Sequence, residues 1–212
     1  MEIVVDHLTK EYRTQTALQD VSCTFASGQI HGIVGRNGSG KSVLLRCICG
    51  YSRPSSGTVR ADGKLLGKDC AFPPDMGLLL DTPLFLLRFS GYENLMLLLN
   101  IRKYSHAEKE SMIHDALEQV GLLEQQNKKV SKYSLGMRQR LGLAQALMEH
   151  PKLLILDEPF NGLDRDGVAH VRQLLLVLKA QGVTMLLTSH YPEDLDALCD
   201  TFTHLDGGRK VE

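Results

Sequence analysis

Short apolar runs separated by polar turns fill the first 75 or so residues, and this spacing predicts β-strands. The strands are expected at 3–5, 22–25, 30–34 and 58–60. Asp62 and Gly63 form a hairpin signal just after the last of them. We therefore expect a β-rich lobe in this part of the chain.

The hydrophobic period changes to that of a helix between about residues 84 and 132. Ser105 and Glu108 have the spacing of a capping box. An apolar stripe follows at helical spacing, and Gly121 is placed to end the helix. The stripe consists of Met112, Ile113, Ala116, Leu117 and Val120. The segment is predicted to be a helical insert.

Helices and buried strands alternate after the insert. Helices are expected at 134–149, 167–180 and 193–199, with strands at 152–156 and 183–188. Apolar strands that alternate with helices predict a mainly parallel α/β sheet. We expect one domain over 1–212, with a core that includes the β-rich lobe at 1–83 and 134–212, and a helical subdomain at 84–133.

Charge and composition narrow the class of protein. The 212 residues carry 24 Lys and Arg against 25 Asp and Glu, a net charge of −1, so nucleic acid is not an expected partner. The five cysteines are odd in number and form no Cys-x-x-Cys pair, which favours a reducing, cytosolic setting. We see neither a signal peptide nor an apolar run of about 18 residues, so the chain is expected to be soluble by itself.

Residues 35–42 fit a pattern that cradles nucleotide phosphates: glycine, any four residues, then Gly-Lys-Ser. A predicted strand precedes the loop and a helix-like segment follows, which is the context that the motif requires. Glycines let backbone N–H groups point at phosphate oxygens, and the helix N-terminus adds a positive dipole end. Lys41 supplies a cation for the β- and γ-phosphates, and Ser42 is placed to bind Mg²⁺. The loop consists of Gly35, Arg36, Asn37, Gly38, Ser39, Gly40, Lys41 and Ser42.

Asp157 and Glu158 come at the carboxyl end of a buried strand, the edge where ligands bind in an open α/β sheet. Asp157 is a candidate ligand of Mg²⁺. Glu158 is a candidate to polarise a water for in-line attack on the γ-phosphate. Two acids that merely end a strand in solvent are the alternative, but a phosphate loop in the same chain favours the catalytic interpretation.

A second anion site is predicted at the start of the helix that follows residue 133. Ser134 is placed to cap this helix and Gly136 lies in its first turn, so unpaired N–H groups can face an anion. One nucleotide needs only one phosphate cradle. A head-to-tail dimer uses both, because each protomer's helix start completes the site built by the loop of the other. On local evidence alone, an ordinary capped amphipathic helix is the simpler interpretation.

Two further side chains are candidates for the nucleotide site. His190 follows the apolar strand at 183–188, so it can contact a γ-phosphate oxygen and hold the attacking water. A structural or solvated histidine is the alternative. Tyr12 lies upstream of the phosphate loop, and its ring can stack on adenine. By itself, Tyr12 would be interpreted as an ordinary surface or core aromatic residue.

The order of these motifs resembles that of the ATP-binding cassette ATPases, from near the N-terminus to about residue 208. The resemblance implies a P-loop NTPase fold with a mainly parallel core sheet, an antiparallel β subdomain and a helical insert. It also places Asp164 among the nucleotide-binding residues. In the terms of that family, residues 35–42 correspond to Walker A, 153–157 to Walker B and 133–137 to the signature motif. Glu158 corresponds to the catalytic glutamate, and Leu163 and Asp164 to the D-loop. His190 corresponds to the switch histidine and Tyr12 to the adenine-stacking aromatic.

Two segments depart from the usual pattern of that family. Its signature is Leu-Ser-Gly-Gly-Gln, whereas Tyr133, Leu135 and Met137 stand here beside the retained serine and glycine. Asp81 aligns where many members have a glutamine that contacts Mg²⁺ and signals to the membrane partner, and a carboxylate can still bind the metal. Both segments are similar to those of bacterial bacitracin-type and lantibiotic-immunity exporters.

The resemblance implies a subunit that dimerises around two Mg·ATP, hydrolyses them and drives export through a separate transmembrane permease. The cargo would be a peptide antibiotic or a drug-like compound, and the subunit would lie at the cytoplasmic face of the membrane. The apolar-rich stretch 78–99 is the candidate docking surface, although it can equally be the core of the helical insert. The alternatives are a non-transport ATPase of the superfamily that acts on DNA or ribosomes, and a phosphotransferase such as a nucleotide kinase.

Overall fold

The computed structural model describes residues 1–81, 84–189 and 192–211, which form strands and helices in the predicted alternation. The strands are β1 Ile3–Tyr12, β2 Gln15–Phe25, β3 Ile30–Val34, β4 Ser56–Ala61, β5 Lys64–Leu65, β6 Met76–Leu79, β7 Leu153–Leu156, β8 Thr184–Thr188, β9 Thr201–Asp206 and β10 Arg209–Val211. The helices are α1 Lys41–Ile48, α2 Gly91–Leu99, α3 His106–Gln119, α4 Leu135–Leu147, α5 Arg165–Ala180 and α6 Pro192–Asp196, with 3₁₀ turns at Leu123–Gln125 and Val130–Lys132.

Six strands form the central sheet in the order β10-β9-β3-β8-β7-β6. All neighbours in this sheet are parallel except β9 and β10. Every residue of β7 and β8 is buried, which explains why β7 and the middle of β8 are apolar without alternation. The mainly parallel core sheet predicted from the sequence is confirmed.

Four strands form an antiparallel sheet in the order β2-β1-β4-β5. The hairpin signal is confirmed, because Asp62 and Gly63 connect β4 to β5 with φ angles of +45° and +76°. On β1, the apolar residues Ile3, Val5 and Leu8 are buried. This sheet is the antiparallel β subdomain expected near the start of the chain.

The chain between β6 and β7 is mainly helical, as its hydrophobic period predicts. The predicted capping box of Ser105 and Glu108 begins α3, and Gly121 follows that helix with φ +69°. Buried residues of α3 such as Ile113 belong to the same apolar cluster as Leu154 of β7. The boundaries of a separate helical subdomain at 84–133 stay a prediction, because this cluster contains residues from both parts.

Strands β6, β9 and β10 were not predicted from the sequence. The segment Met-Gly-Leu-Leu of β6 is a weak strand signal because of Gly77, yet glycine is required there. A Cβ on Gly77 would lie 2.0 Å from the carbonyl oxygen of Ala146 in α4. The close packing of α4 on the sheet therefore explains a residue that local propensity disfavours.

Parallel pairing brings several strand ends to one edge of the central sheet. Ile33 pairs with Thr188, Leu187 with Leu156, and Leu156 with Leu79. The phosphate loop and the segments that begin at Ser189, Asp157 and Leu80 follow these ends. This is the edge where α/β sheets of this type bind ligands.

Candidate nucleotide site

The phosphate loop leaves the start of α1 open to an anion. Gly40 precedes the helix with φ +106°, and α1 has neither a capping side chain nor an acidic residue in its first turn. Glycine is required at this position, since a Cβ would lie 2.7 Å from the side chain of Leu18 in an already left-handed backbone. The unpaired N–H groups and the helix dipole together favour phosphate here.

Lys41 folds back over the loop that precedes it. Its Nζ donates to the carbonyl oxygen of Gly35 at 2.6 Å and to that of Arg36 at 3.3 Å. The residue is only 7% exposed. The ammonium group is thus held at the loop, where a small rotation of a flexible side chain can exchange a carbonyl oxygen for a phosphate oxygen.

A cavity of ≈ 450 Å³ lies over the loop and gathers most of the predicted site residues. It is lined by residues 37–43, by the two carboxylate residues Asp157 and Glu158, and by Tyr12 of β1. Tyr12 is 48% exposed, so its ring is accessible to a base. Gly35 and Arg36 line an adjoining cavity of ≈ 670 Å³ that shares Asn37. The structure therefore brings together the loop, the aromatic residue and both acids.

Thr188 of β8 connects the two carboxylate residues. Its hydroxyl donates to Oδ1 of Asp157 at 2.5 Å and accepts from the backbone N–H of Glu158 at 2.9 Å. Thr188 is completely buried and Asp157 is 7% exposed. These hydrogen bonds fix the acids at the floor of the cavity.

Glu158 adopts a left-handed backbone conformation with φ +53°. For a residue with a Cβ, this conformation costs roughly 1–2 kcal/mol, so the surroundings must hold it in place. The side-chain amide of Gln139 donates to the Glu158 carbonyl oxygen at 3.0 Å, while Thr188 accepts from the Glu158 N–H. Side chains from two other elements thus fix both polar backbone groups of Glu158.

Asp81 is bound by Arg46 of α1. Both carboxylate oxygens accept from Nη2 of Arg46, at 2.9 and 2.7 Å. The hydrogen bond to Asp81 raises the pKa of Arg46, and the charge of Asp157 acts in the same direction. Asp81 is not among the described residues that line the nucleotide cavity. Its role as a metal ligand, directly or through water, stays a prediction.

Ser134, Gly136 and Asp164 lie apart from this cavity. Ser134 caps α4 by accepting from the N–H of Met137 at 3.2 Å. Asp164 caps α5 by accepting from the N–H of Gly167 at 2.9 Å. Among the residues that the structure describes, none of these three lines the cavity over the phosphate loop. Within one chain the two predicted anion sites are therefore separate, as the head-to-tail hypothesis expects.

The departures in the signature segment have different environments. Tyr133 is a core residue, 4% exposed, and its hydroxyl donates to the carbonyl oxygen of Gln125 at 2.9 Å. Leu135 is 60% exposed at the start of α4, and Met137 is partly buried. The replacements therefore leave the cap of α4 intact.

Three residues that bind predicted site residues were not themselves predicted from the sequence: Arg46, Gln139 and Thr188. Thr188 carries one signal, a polar residue at the end of an apolar strand, but this signal does not identify its partner. Gln139 lies between Arg138 and Arg140, so the sequence around it gives no sign that its side chain is buried. The predicted switch residue His190 lies outside the described residues, as do Thr82 and Pro83 beside Asp81.

A phosphate loop at a strand end, with an acidic pair two strands away, defines a P-loop nucleotide-binding protein. The model of the family described as "ABC transporter" matches residues 18–161. The chain therefore belongs to the ABC transporter family.

Individual relatives agree with this membership. The chain is 42% identical over 207 residues to the uncharacterized ABC transporter ATP-binding protein YybJ of Bacillus subtilis (strain 168), covering 98% of this chain and 94% of that protein. It is 37% identical over 216 residues to the bacitracin transport ATP-binding protein BcrA of Enterococcus faecalis, covering 100% and 69%. The solved structure of an ATP binding subunit of an ABC transporter has a TM-score of 0.87 at 28% identity, covering 99% and 88%.

Family membership confirms the predicted fold and class of activity. The chain is the ATP-hydrolysing subunit of an ABC transporter, a class of protein that works with a transmembrane permease. The comparisons give no support to the alternative of a non-transport ATPase. In the described part of the chain, no helix has the length and apolar character needed to cross a membrane.

Proposed function

We propose that this subunit binds Mg·ATP in the cavity over the phosphate loop and drives export of a peptide antibiotic or a similar compound, at the cytoplasmic face of the membrane. We assign the site to this cavity because Tyr12, the phosphate loop, Asp157 and Glu158 contribute to its lining. Two relatives support the cargo: the bacitracin transport protein named above and the lantibiotic transport ATP-binding protein SrtF of Streptococcus pyogenes, 32% identical over 207 residues.

The donor groups around the cavity fit Mg²⁺. This hard cation prefers oxygen ligands, and the Ser42 hydroxyl and the Asp157 carboxylate line the same cavity. When bound, Mg²⁺ would neutralise part of the charge on the β- and γ-phosphates. Asp81, which Arg46 binds in the structure, would join this set directly or through water.

The chain's own groups divide the work of hydrolysis. The loop N–H groups and Lys41 bind and orient the phosphates, and the Tyr12 ring stacks on the base. Glu158 polarises the attacking water, and His190 is expected to hold it in place. Ser134, Gly136 and Asp164 of the second protomer close the site, so hydrolysis occurs in the dimer.

The permease is proposed to dock on the apolar surface of the helical segment. Leu86, Leu87, Leu97 and Leu98 are between 37% and 54% exposed, whereas Phe85 and Tyr92 of the same stretch pack against the core. In the predicted docking stretch 78–99, some apolar residues therefore pack in the core and others are exposed and available to a partner. Ile101 and Tyr104, which follow this stretch in sequence, line a groove of ≈ 940 Å³ together with Tyr51 and Phe72. We propose that a segment of the permease occupies this groove.

Replacing Glu158 by Gln tests the proposal, because the variant keeps the shape of the side chain and loses the base. We expect ATP binding to persist, turnover to fall by about 10²–10⁴-fold, and a stable ATP-bound dimer to form at low salt. Glu118→Gln, an exposed residue of α3, is the matched control. A Glu158→Gln chain that stays monomeric with ATP, together with phosphoryl transfer from ATP to a small acceptor by the wild type, would overturn the proposal.

A further inference from the structure

The structure assigns to Gln139 a role that no motif predicts. We propose that Gln139 is a positioning residue that connects the helix start facing the partner's nucleotide with Glu158 of its own chain. The two ATP sites of a dimer would then be coupled through α4. This inference rests on the proposed head-to-tail dimer and deepens it.

Gln139 lies in the second turn of α4 and is 6% exposed. Burying an amide is unfavourable unless it is hydrogen-bonded, and the described partner of its Nε2 is the Glu158 carbonyl oxygen. Gln139 does not line the nucleotide cavity. Its contact therefore acts on the position of Glu158 and leaves the binding surface for ATP unchanged.

The beginning of α4 packs tightly on the loop that follows Glu158. A Cβ on Gly136 would lie 2.8 Å from the carbonyl oxygen of Gly162, and a Cβ on Gly162 would lie 2.5 Å from the side chain of Leu135. Arg140 adds an ion pair to Asp164 at 3.6 Å. Residues 134–140 and 158–164 therefore form one packed unit, which we call the α4 unit.

The α4 unit joins the helix start that is predicted to bind the partner's nucleotide to the backbone of Glu158, over a short distance. Ser134 caps the end predicted to face the partner's γ-phosphate, and Gln139 follows five residues later, roughly 7.5 Å along the helix axis. A displacement of the helix start reaches the Glu158 backbone through one rigid turn and one hydrogen bond. Since Glu158 already has a left-handed backbone, it depends on such contacts more than a relaxed residue does.

Gln139→Met removes the donor while keeping the length of the side chain and a good helix former. We expect kcat to fall by about 10–100-fold, because misplacing a catalytic group by about 1 Å can cost about 10² in rate. The KM for ATP should stay within about twofold, since Gln139 lies outside the cavity. The control is Gln145→Met, a half-buried position of the same helix, which should leave kcat unchanged.

Cooperativity in ATP separates coupling from a merely structural role. The wild type should show a Hill coefficient above 1, and Gln139→Met should lower it towards 1, whereas Gln145→Met should not. Gln139→Glu provides a second, isosteric test, since only the protonated carboxyl can donate to the Glu158 carbonyl. The ratio of its kcat to that of the wild type should rise as the pH is lowered from about 8 to 6.

The outcomes of these experiments are distinguishable. A wild-type chain that does not hydrolyse ATP overturns the proposed function, and the inference with it. Wild-type hydrolysis with an unchanged kcat and Hill coefficient in Gln139→Met overturns the inference alone. If Gln139→Met fails to fold, Gln139→Glu decides: a kcat ratio that does not change with pH overturns the inference.

Discussion

Thr188→Val is the sharpest single test of how the acidic pair is held. The valine side chain has nearly the shape of threonine, so the completely buried site gains no cavity. What is lost is one hydroxyl, which donates to Asp157 at 2.5 Å and accepts from the Glu158 N–H at 2.9 Å. Both lost hydrogen bonds are made to residues that line the cavity over the phosphate loop.

The expected cost is a free energy of unfolding lowered by about 2–4 kcal/mol. A hydrogen bond to a charged group contributes about 1.5–3 kcal/mol, and a buried N–H left without a partner costs about 1–3 kcal/mol. We expect a total near the lower end of these two contributions, because water in the cavity can replace part of the lost hydrogen bonding to Asp157 and Glu158. Such a loss is a large part of the stability of an ordinary domain.

Urea unfolding of the nucleotide-free chain measures this change, and steady-state ATP hydrolysis measures its effect on the site. Thr203→Val in β9 is the control, because Thr203 is also buried and its hydroxyl makes no hydrogen bond to a described residue. We expect Thr188→Val to lose at least tenfold in kcat and Thr203→Val to keep the wild-type rate. A Thr188→Val chain with wild-type stability and turnover would show that the hydroxyl does not hold the acidic pair.

Three further predictions concern other parts of the chain. Asp81→Asn should raise the Mg²⁺ concentration needed for half-maximal ATP hydrolysis, yet change urea stability by less than about 1 kcal/mol, because the Arg46 and Asp81 side chains are 40% and 60% exposed. Gly77→Ala should lower stability by about 2–4 kcal/mol in the same assay, since its Cβ would clash with a backbone carbonyl. Burial lowers the pKa of His31, so below about pH 6.5 the unfolded chain binds more protons than the folded one. Thermal melts should show stability falling from pH 7 to 5, and His31→Gln should flatten that profile.

Local patterns were enough to predict the elements that carry the site. The phosphate loop, the capping box of α3 and the apolar strands β7 and β8 depend on residues close together in sequence. The hydrogen bonds that hold Glu158 depend on distant ones, since Gln139 is 19 residues and Thr188 is 30 residues away. No periodicity or spacing pairs these positions, so only the fold identifies them.

Asp81 and Gly77 also show that a sequence pattern does not reveal contacts with residues far away in the chain. The sequence suggested a metal ligand at Asp81, but it could not reveal that Arg46, 35 residues earlier, binds the same carboxylate. Gly77 weakened the strand signal of β6 for a reason that lies in the packing of α4. In both cases a residue that is ambiguous locally acquires its meaning from a neighbour in another element.

The strands of the central sheet end at one common edge, and this limits where residues can be deleted from or inserted into the chain. A one-residue deletion within β7 would turn each following side chain to the other face of the sheet, because the side-chain period of a strand is two. Glu158 would then stand where Asp157 stands, so the charge at the edge would survive while its chemistry would be lost. Changes of length are therefore tolerable in the surface turns, such as that between β4 and β5, and not in the strands that end at the nucleotide.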